Sequence, residues 1–509
     1  MIMPLIISIF QIIIISCFIF SIASTIRHHI GDSVKSVAFA IIIICLLGMI
    51  QFWIAFLLYP LSLLLKILFW TVGSVLFTRS LWKQEFRYEA AVPVIGLALA
   101  SIVLALWTHL GTDLSQPIET ARLRWTHSLP TDNILPFIFV ENLRDGVIRI
   151  PMVGEWLSSD RPPLQVGLYL LLGLPIGYDM LNYQFSSISF QMFCLVGVWV
   201  LTRALEISPR YAILAMVTTF FTPFVIVNGS FVWPKLISGG ILCITTALYF
   251  TPLHDRTRGD WLMGAAAGLS AAFALLGHGA TSFALAAMAL TALALHRFGR
   301  PNYLLAGFVA FVLMYAPWMA YQNYYDPPAN RLTKWHLLGV IEIDSRTIGE
   351  AARDQLASTS MLAWIDGRLQ NFSWLFLDYD NVVHKTILAS EHVAAGDIDA
   401  ARKMLAEVRV SQFFFMASGL GVIGVFSYLV PLGLILSKTR PLALLFMISS
   451  MVWVWLMFLP GSTVIHQGSM LPQLLLISGT IVTVSVFGFW PAAGLTLAHV
   501  AVTIFQYAL

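Results

Sequence analysis

A carboxylate that can take a proton and several cations that can hold a phosphate are the residues with chemistry to do. Asp132 sits in a turn bounded by prolines, His127-Ser-Leu-Pro-Thr-Asp132-Asn133-Ile-Leu-Pro. Thr-Asp-Asn is equally good turn and helix-cap chemistry. Glu141 and Asp160 are further acids of this stretch, read as surface or packing residues. Arg161 opens the run Arg161-Pro-Pro-Leu164. A guanidinium pairs two-pronged with phosphate oxygens; the alternative is an Arg that keeps its stem in apolar surroundings and its head in water. Lys235 closes Asn228-Gly-Ser-Phe-Val-Trp-Pro-Lys235, either as a cation for an anion or as the snorkelling start of a helix. His278 lies between two glycines, where it can meet phosphate or acceptor, or serve the structure alone. Arg331, Lys334 and His336 fall within six residues beside Trp335. They can bind an anionic lipid headgroup or pyrophosphate, or anchor a helix end at an interface. Asp378, Asp380, Asn381 and His384 lack diagnostic metal spacing, so no metal or other cofactor is expected.

These residues need a scaffold, and composition says which. Of 509 residues 58% are hydrophobic and only 11% charged, where a soluble domain carries about 25% charged residues. A helix needs ~20 apolar residues to cross a hydrocarbon core, and runs of that length recur at 3–24, 37–58, 60–78, 91–108, 187–205, 211–227, 236–252, 261–277, 280–296, 303–320, 412–436, 441–459, 470–488 and 490–508. They do not alternate as barrel strands would. The sequence therefore predicts an all-α polytopic membrane protein with roughly a dozen or more crossings. The first run is expected to be a retained span, since it lacks a basic leader. The cysteines (Cys17, Cys45, Cys194 and Cys243) all lie in apolar runs and form no disulfide or metal pattern. No basic stripe suggests nucleic acid.

Loop charge orients the chain. Short loops rich in Lys and Arg stay in the cytoplasm. Those around Arg79, Lys83 and Arg87, Arg203 and Arg210, Arg256 and Arg258, Arg297 and Arg300, and Lys438 and Arg440 share one side only if the short apolar segment 164–177 does not cross. The loops 109–163 and 321–411 and the turns at Lys235, His278 and His466 then share the external side. Residues 389–410 read as an amphipathic helix outside the membrane. The organisation is 1–90, additional helices; 91–320, a core with external loop 109–163; 321–411, a second external loop carrying short helices; and 412–509, C-terminal helices.

The order of an Asp outside an apolar span, a short helix, then a charged residue before Pro-Pro-Leu resembles the GT-C superfamily of membrane glycosyltransferases. The likeness is to its protein O-mannosyltransferase and lipid A aminoarabinose transferase branch. Asp132 stands at the family's loop acid and Arg161-Pro-Pro-Leu164 at its closing motif. Asn133 replaces a family Glu, and Lys235 stands where a second acid is often found. The resemblance continues at Leu276-Gly277-His278-Gly279 and Ala316-Pro317-Trp318, and covers about 91–320.

It implies a GT-C-like helical core and an inverting transferase. That enzyme would move a sugar from a polyprenyl-phosphate donor to a lipid, glycan or protein acceptor. Asp132 would be the base; Arg161, Lys235 and His278, with Arg331, Lys334 and His336, would hold the phosphate. The site would face the periplasm of a bacterial inner membrane. Two other functions fit many spans with external loops: a transporter or flippase of lipid-linked glycans, and a glycan polymerase or ligase.

Overall fold

The computed structural model describes residues 2–509 apart from 84–87, 127–128, 149–155, 175–178, 251–259, 297–298, 326, 328, 330, 377, 430–434, 436–438 and 459–469. His127, Arg87, Arg256, Arg258, Arg297, Lys438 and His466 therefore lie outside the described residues. Regular structure among the described residues is helical, and the chain is an all-α polytopic membrane protein. Among the described residues, six helices are long and apolar enough to cross a membrane. A bent pair counted as one span makes seven. Shorter apolar helices of 10–17 residues fill the bundle between them.

The chain begins with a hairpin of α1 (Ile2–Ile30) and α2 (Ser33–Trp82). Gly31 takes φ +76° after α1, and the Asp32 carboxylate caps α2 by accepting from the amides of Val34 and Lys35. α2 breaks at Leu58 (φ −157°, ψ 88°), two residues before Pro60. Proline lacks the donor and clashes with the preceding turn. The break is sharp: Gln51 Nε2 donates to the Ser62 carbonyl at 2.6 Å, whereas a straight helix would separate these residues by roughly 16 Å. The two expected spans 37–58 and 60–78 are thus the two arms of α2.

α3 (Tyr88–His109) leads into the first loop, which carries α4 (Pro117–Leu123) and α5 (Leu135–Arg144). Trp125 Nε1 and Thr108 Oγ1 both donate to Ser230 Oγ, at 2.9 and 3.0 Å, so this loop is fastened to the core. α6 (Leu164–Leu172) has nine residues, all buried. At 1.5 Å per residue it is about 13 Å long, far short of a crossing. It crosses α2 at Gly167, where a Cβ would lie 2.2 Å from the Gly48 carbonyl oxygen. Small residues permit such close backbone approach.

α7 (Met180–Gln191) and α8 (Phe193–Ala204) together make one fully buried span. α9 (Pro209–Phe220) and α10 (Pro223–Phe231) meet at 64°. The expected straight span 211–227 is therefore bent, at Thr222-Pro223, because a residue before proline is pushed out of the helical region. α11 (Lys235–Phe250), α12 (Asp260–Gly277), α13 (Thr281–Ala294) and α14 (Pro301–Tyr325) complete the core.

The second loop carries α15 (Arg331–Leu338), α16 (Ile348–Ser358), α17 (Met361–Trp374), α18 (Tyr379–Ala394) and α19 (Ile398–Phe414). The single amphipathic helix expected over 389–410 is two helices. Gly396 (φ +81°) ends the first, and the Asp397 carboxylate caps the second by accepting from the Ala400 amide. Nor is 412–436 one span. α19 stops at Phe414, Phe415 is extended, α20 covers Met416–Gly419, and Gly421–Leu429 is a 3-10 helix. α21 (Arg440–Leu456), α22 (Leu471–Val484) and α23 (Phe489–Ala508) follow.

Candidate functional site

The first loop delivers Asp132 on a 3-10 turn, Asp132–Ile134, that runs straight into α5. The turn is held by its neighbour: Asn133 Nδ2 donates to the Ile118 carbonyl at 3.3 Å, and Tyr183 Oη donates to the Asn133 carbonyl at 3.1 Å. Gln165 Nε2 in turn donates to Tyr183 Oη and to the Val232 carbonyl, at 2.9 and 3.1 Å. One buried network thus joins the loop acid, α6 and the segment before Lys235. Val232 holds φ +55° there, a costly region for a branched side chain. That turn swings Trp233 toward Asp132.

At the meeting point Arg161 and Asp132 form an ion pair, with side chains 6% and 0% exposed. Trp233 Nε1 also donates to Asp132 Oδ2 at 3.2 Å. The Arg161 guanidinium lies 4.7 Å from the Trp156 ring centre and 5.6 Å from that of Trp233. Cations over indole faces gain electrostatic attraction. A second ion pair stands beside the first: Arg331 Nη1 donates to Asp160 Oδ2 at 2.8 Å, and the Leu157 amide donates to the same oxygen. Trp156 and Trp335 stack with centres 6.0 Å apart, and the Arg331 guanidinium lies 5.4–5.5 Å from both.

Trp156, Asp160, Arg161, Trp233 and Trp335 wall a cavity of about 390 Å³, and Asp132 reaches it through its ion pair with Arg161. His278 and His336 line it as well, together with apolar residues such as Phe283, Phe413 and Leu456, and Phe413 stacks on Trp233 with ring centres 6.2 Å apart. Lys235 stands one layer behind, its Nζ 3.2 Å from the Trp233 ring centre. It is fully buried, and among the described residues its ammonium has no hydrogen-bond partner. Both acids nearby are already paired with arginines. A buried ammonium without a partner is costly, so burial, with Arg161 adding to it, pushes Lys235 well below the usual lysine range, and an anion beside it would restore its proton.

The structure brings Asp132, Arg161, Lys235, His278 and His336 together at one end of the bundle, as shared sidedness predicts. Arg331 and Lys334 differ in employment. Arg331 holds Asp160, and Lys334 is turned away to the carbonyls of Asp344 and Arg346. Asp160, read as a packing residue, lines the cavity itself. Trp156 and Trp233 escaped sequence reading. The available signal was a tryptophan within five residues of each buried cation. Asp378 is engaged by Asn381 and Ser411. Among the described residues no three His, Cys, Asp or Glu side chains group to hold a metal ion.

Burial holds both histidines neutral. It pushes His278 well below the usual imidazole range, with the neighbouring basic groups Lys235, Arg161 and His336 adding to it. It pushes His336 down to about 4, with Lys235 and Arg161 adding to it. A base whose folded pKa is depressed binds fewer protons folded than unfolded, so stability falls as pH drops below the unfolded value. His336 alone makes the protein roughly 2 kcal/mol less stable at pH 5 than at pH 7, and the loss levels off below pH 4. Thermal unfolding across that window checks this. His336→Gln is expected to flatten the profile.

No family model matches the chain, and neither does any curated protein or solved structure.

Proposed function

We propose that the protein is a GT-C-type glycosyltransferase that takes a sugar from a polyprenyl-phosphate carrier. The acceptor is a lipid, glycan or protein at the external, periplasmic face of a bacterial inner membrane. The observation that carries this reading is the buried amine of Lys235, without a hydrogen-bond partner among the described residues, behind a cavity lined by Arg161, two histidines and apolar side chains. A lipid phosphate supplies the missing anion and an apolar tail together.

The ion pair gives the cavity a working sequence. A phosphate entering beside Arg161 competes with Asp132 for the guanidinium. Asp132, released, takes the proton from the acceptor hydroxyl or amine. The acceptor atom bonds to the anomeric carbon as the bond from that carbon to the phosphate oxygen breaks. The bonding pair leaves with the polyprenyl phosphate, whose charge Arg161 and Lys235 stabilise. His278 and His336, neutral before binding, can take up a proton once the anion is present.

The test uses the purified protein in nanodiscs with a panel of polyprenyl-phosphate-linked sugars carrying a labelled sugar. Loss of label from at least one donor in the presence of membrane acceptors is expected. Asp132→Asn should lower that turnover by about 10²–10⁴-fold while polyprenyl phosphate still binds. Movement of intact donor across the bilayer without loss of label would instead identify a flippase. Undiminished turnover in Asp132→Asn would remove Asp132 from the role of base.

A further inference from the structure

α17 turns its polar residues inward and its apolar residues out. Arg368 donates to the carbonyls of Trp455 and Phe458, at 2.8 and 2.6 Å. Asn371 Nδ2 donates to those of Val454 and Met457, at 3.1 and 2.7 Å. These carbonyls belong to the C-terminal end of α21 and the two residues after it, where a helix leaves its acceptors unsatisfied. Gly367, Arg368 and Asn371 are the buried residues of α17, so its inward face is fully committed to capping α21.

The outward surface divides into two strips at about 100° per residue. One strip carries Met361, Leu362, Ile365, Leu369 and Phe372, which are 42–80% exposed. The other carries Asp366, Gln370 and Ser373, also exposed, with Gln370 Nε2 donating to Asp366 Oδ2 at 2.6 Å. The helix therefore meets protein in one direction, an apolar medium in a second and water in a third. Large contiguous apolar patches are rare on surfaces that face water alone. At the edge of the inward face α17 meets an exposed tryptophan of α21, Trp455, which is 53% exposed. Trp364 and Trp455 pair there with ring centres 5.2 Å apart, and tryptophans gather at the membrane–water boundary.

We infer that α17, within the second long loop, is seated in the bilayer interface with its Leu362–Leu369 strip in lipid and its Asp366–Ser373 strip in water. A helix with one apolar and one polar side lies in the interface plane in this way. Lipid is the occupant because the strip is bordered along its length by the polar strip and the same helix packs on the exposed Trp455 of apolar α21. The helix also connects the bilayer to the site. Leu456 at the end of α21 lines the cavity, and the Phe458 amide donates to the His336 carbonyl at 2.8 Å.

The test places an environment-sensitive fluorophore on single cysteines in the full chain, with the native cysteines replaced, in nanodiscs. Leu362→Cys and Leu369→Cys report the apolar strip, Asp366→Cys and Ser373→Cys the polar one. All four positions are exposed, so a label displaces no packed contact. At positions 362 and 369 quenching by nitroxide-bearing lipid should exceed quenching by aqueous iodide at least threefold. At 366 and 373 the order should reverse. Iodide quenching at all four sites would overturn the inference, as would lipid quenching at all four. Shielding of 362 and 369 from both quenchers would also overturn it, pointing to a second copy or another protein on the strip.

Discussion

Arg161→Met is expected to destabilise the fold by about 3–5 kcal/mol, the cost of leaving one member of a buried ion pair alone. The Asp132 carboxylate would keep only the Trp233 indole N–H. Asp132→Leu should cost a similar amount, because the guanidinium would remain buried between Trp156 and Trp233. The double variant should be far closer to wild type than the sum, since an apolar pair of similar volume is often neutral or stabilising in such a place. The buried thiols of Cys45, Cys194 and Cys243 supply the measurement. A thiol-reactive dye reports their exposure during a thermal ramp, and the shift in Tm gives the cycle. Additive losses would mean that the two side chains do not act as a pair. The functional consequence runs the other way. A pair this costly to break from one side is one that a phosphate can open, because the phosphate replaces the carboxylate at the guanidinium and leaves no orphan cation.

Lys235→Met should do the opposite to stability. It removes a buried charge that no acid matches, so Tm should stay level or rise. Anion affinity should fall steeply. At an effective dielectric near 20, a charge about 6 Å away contributes roughly 3 kcal/mol, which is about a hundredfold in binding. Polyprenyl phosphate should therefore bind ten- to a hundredfold more weakly to Lys235→Met, while the neutral polyprenol is unaffected. Equal weakening of both would assign the effect to packing around Trp233, whose ring the ammonium overlies. A large drop in Tm would place Lys235 in the structural framework. A residue whose removal stabilises the protein and disables its ligand is retained for the ligand, and this combination separates the two explanations.

What the sequence determined by itself follows from quantities summed over many residues. Low charge and long apolar runs decide the solvent, and lipid then leaves the backbone no choice but helices. Loop charges led to the expectation of a segment at 164–177 that does not cross, and the nine-residue α6 is short. Local punctuation was readable as well. Pro60, Thr222-Pro223 and Gly396-Asp397 mark the kink in α2, the bend between α9 and α10, and the break between α18 and α19.

Tertiary structure alone decided how the charges are used. Lys334 and Lys235 are both buried lysines, yet Lys334 is turned to the carbonyls of Asp344 and Arg346, and among the described residues Lys235 has no hydrogen-bond partner. Their spacing cannot distinguish them, because the partners arrive from elsewhere in the chain. The pairs Arg161 with Asp132 and Arg331 with Asp160 join residues 29 and 171 positions apart. The break at Phe415 has no glycine or proline beside it. α10 and α11 are buried nearly all round, so they carry no polar face from which periodicity could give an orientation. The candidate residues were legible as types because chemistry restricts which side chains can serve. Their pairing was not, because ion pairing in a buried site depends on distances of a few ångströms that only packing sets.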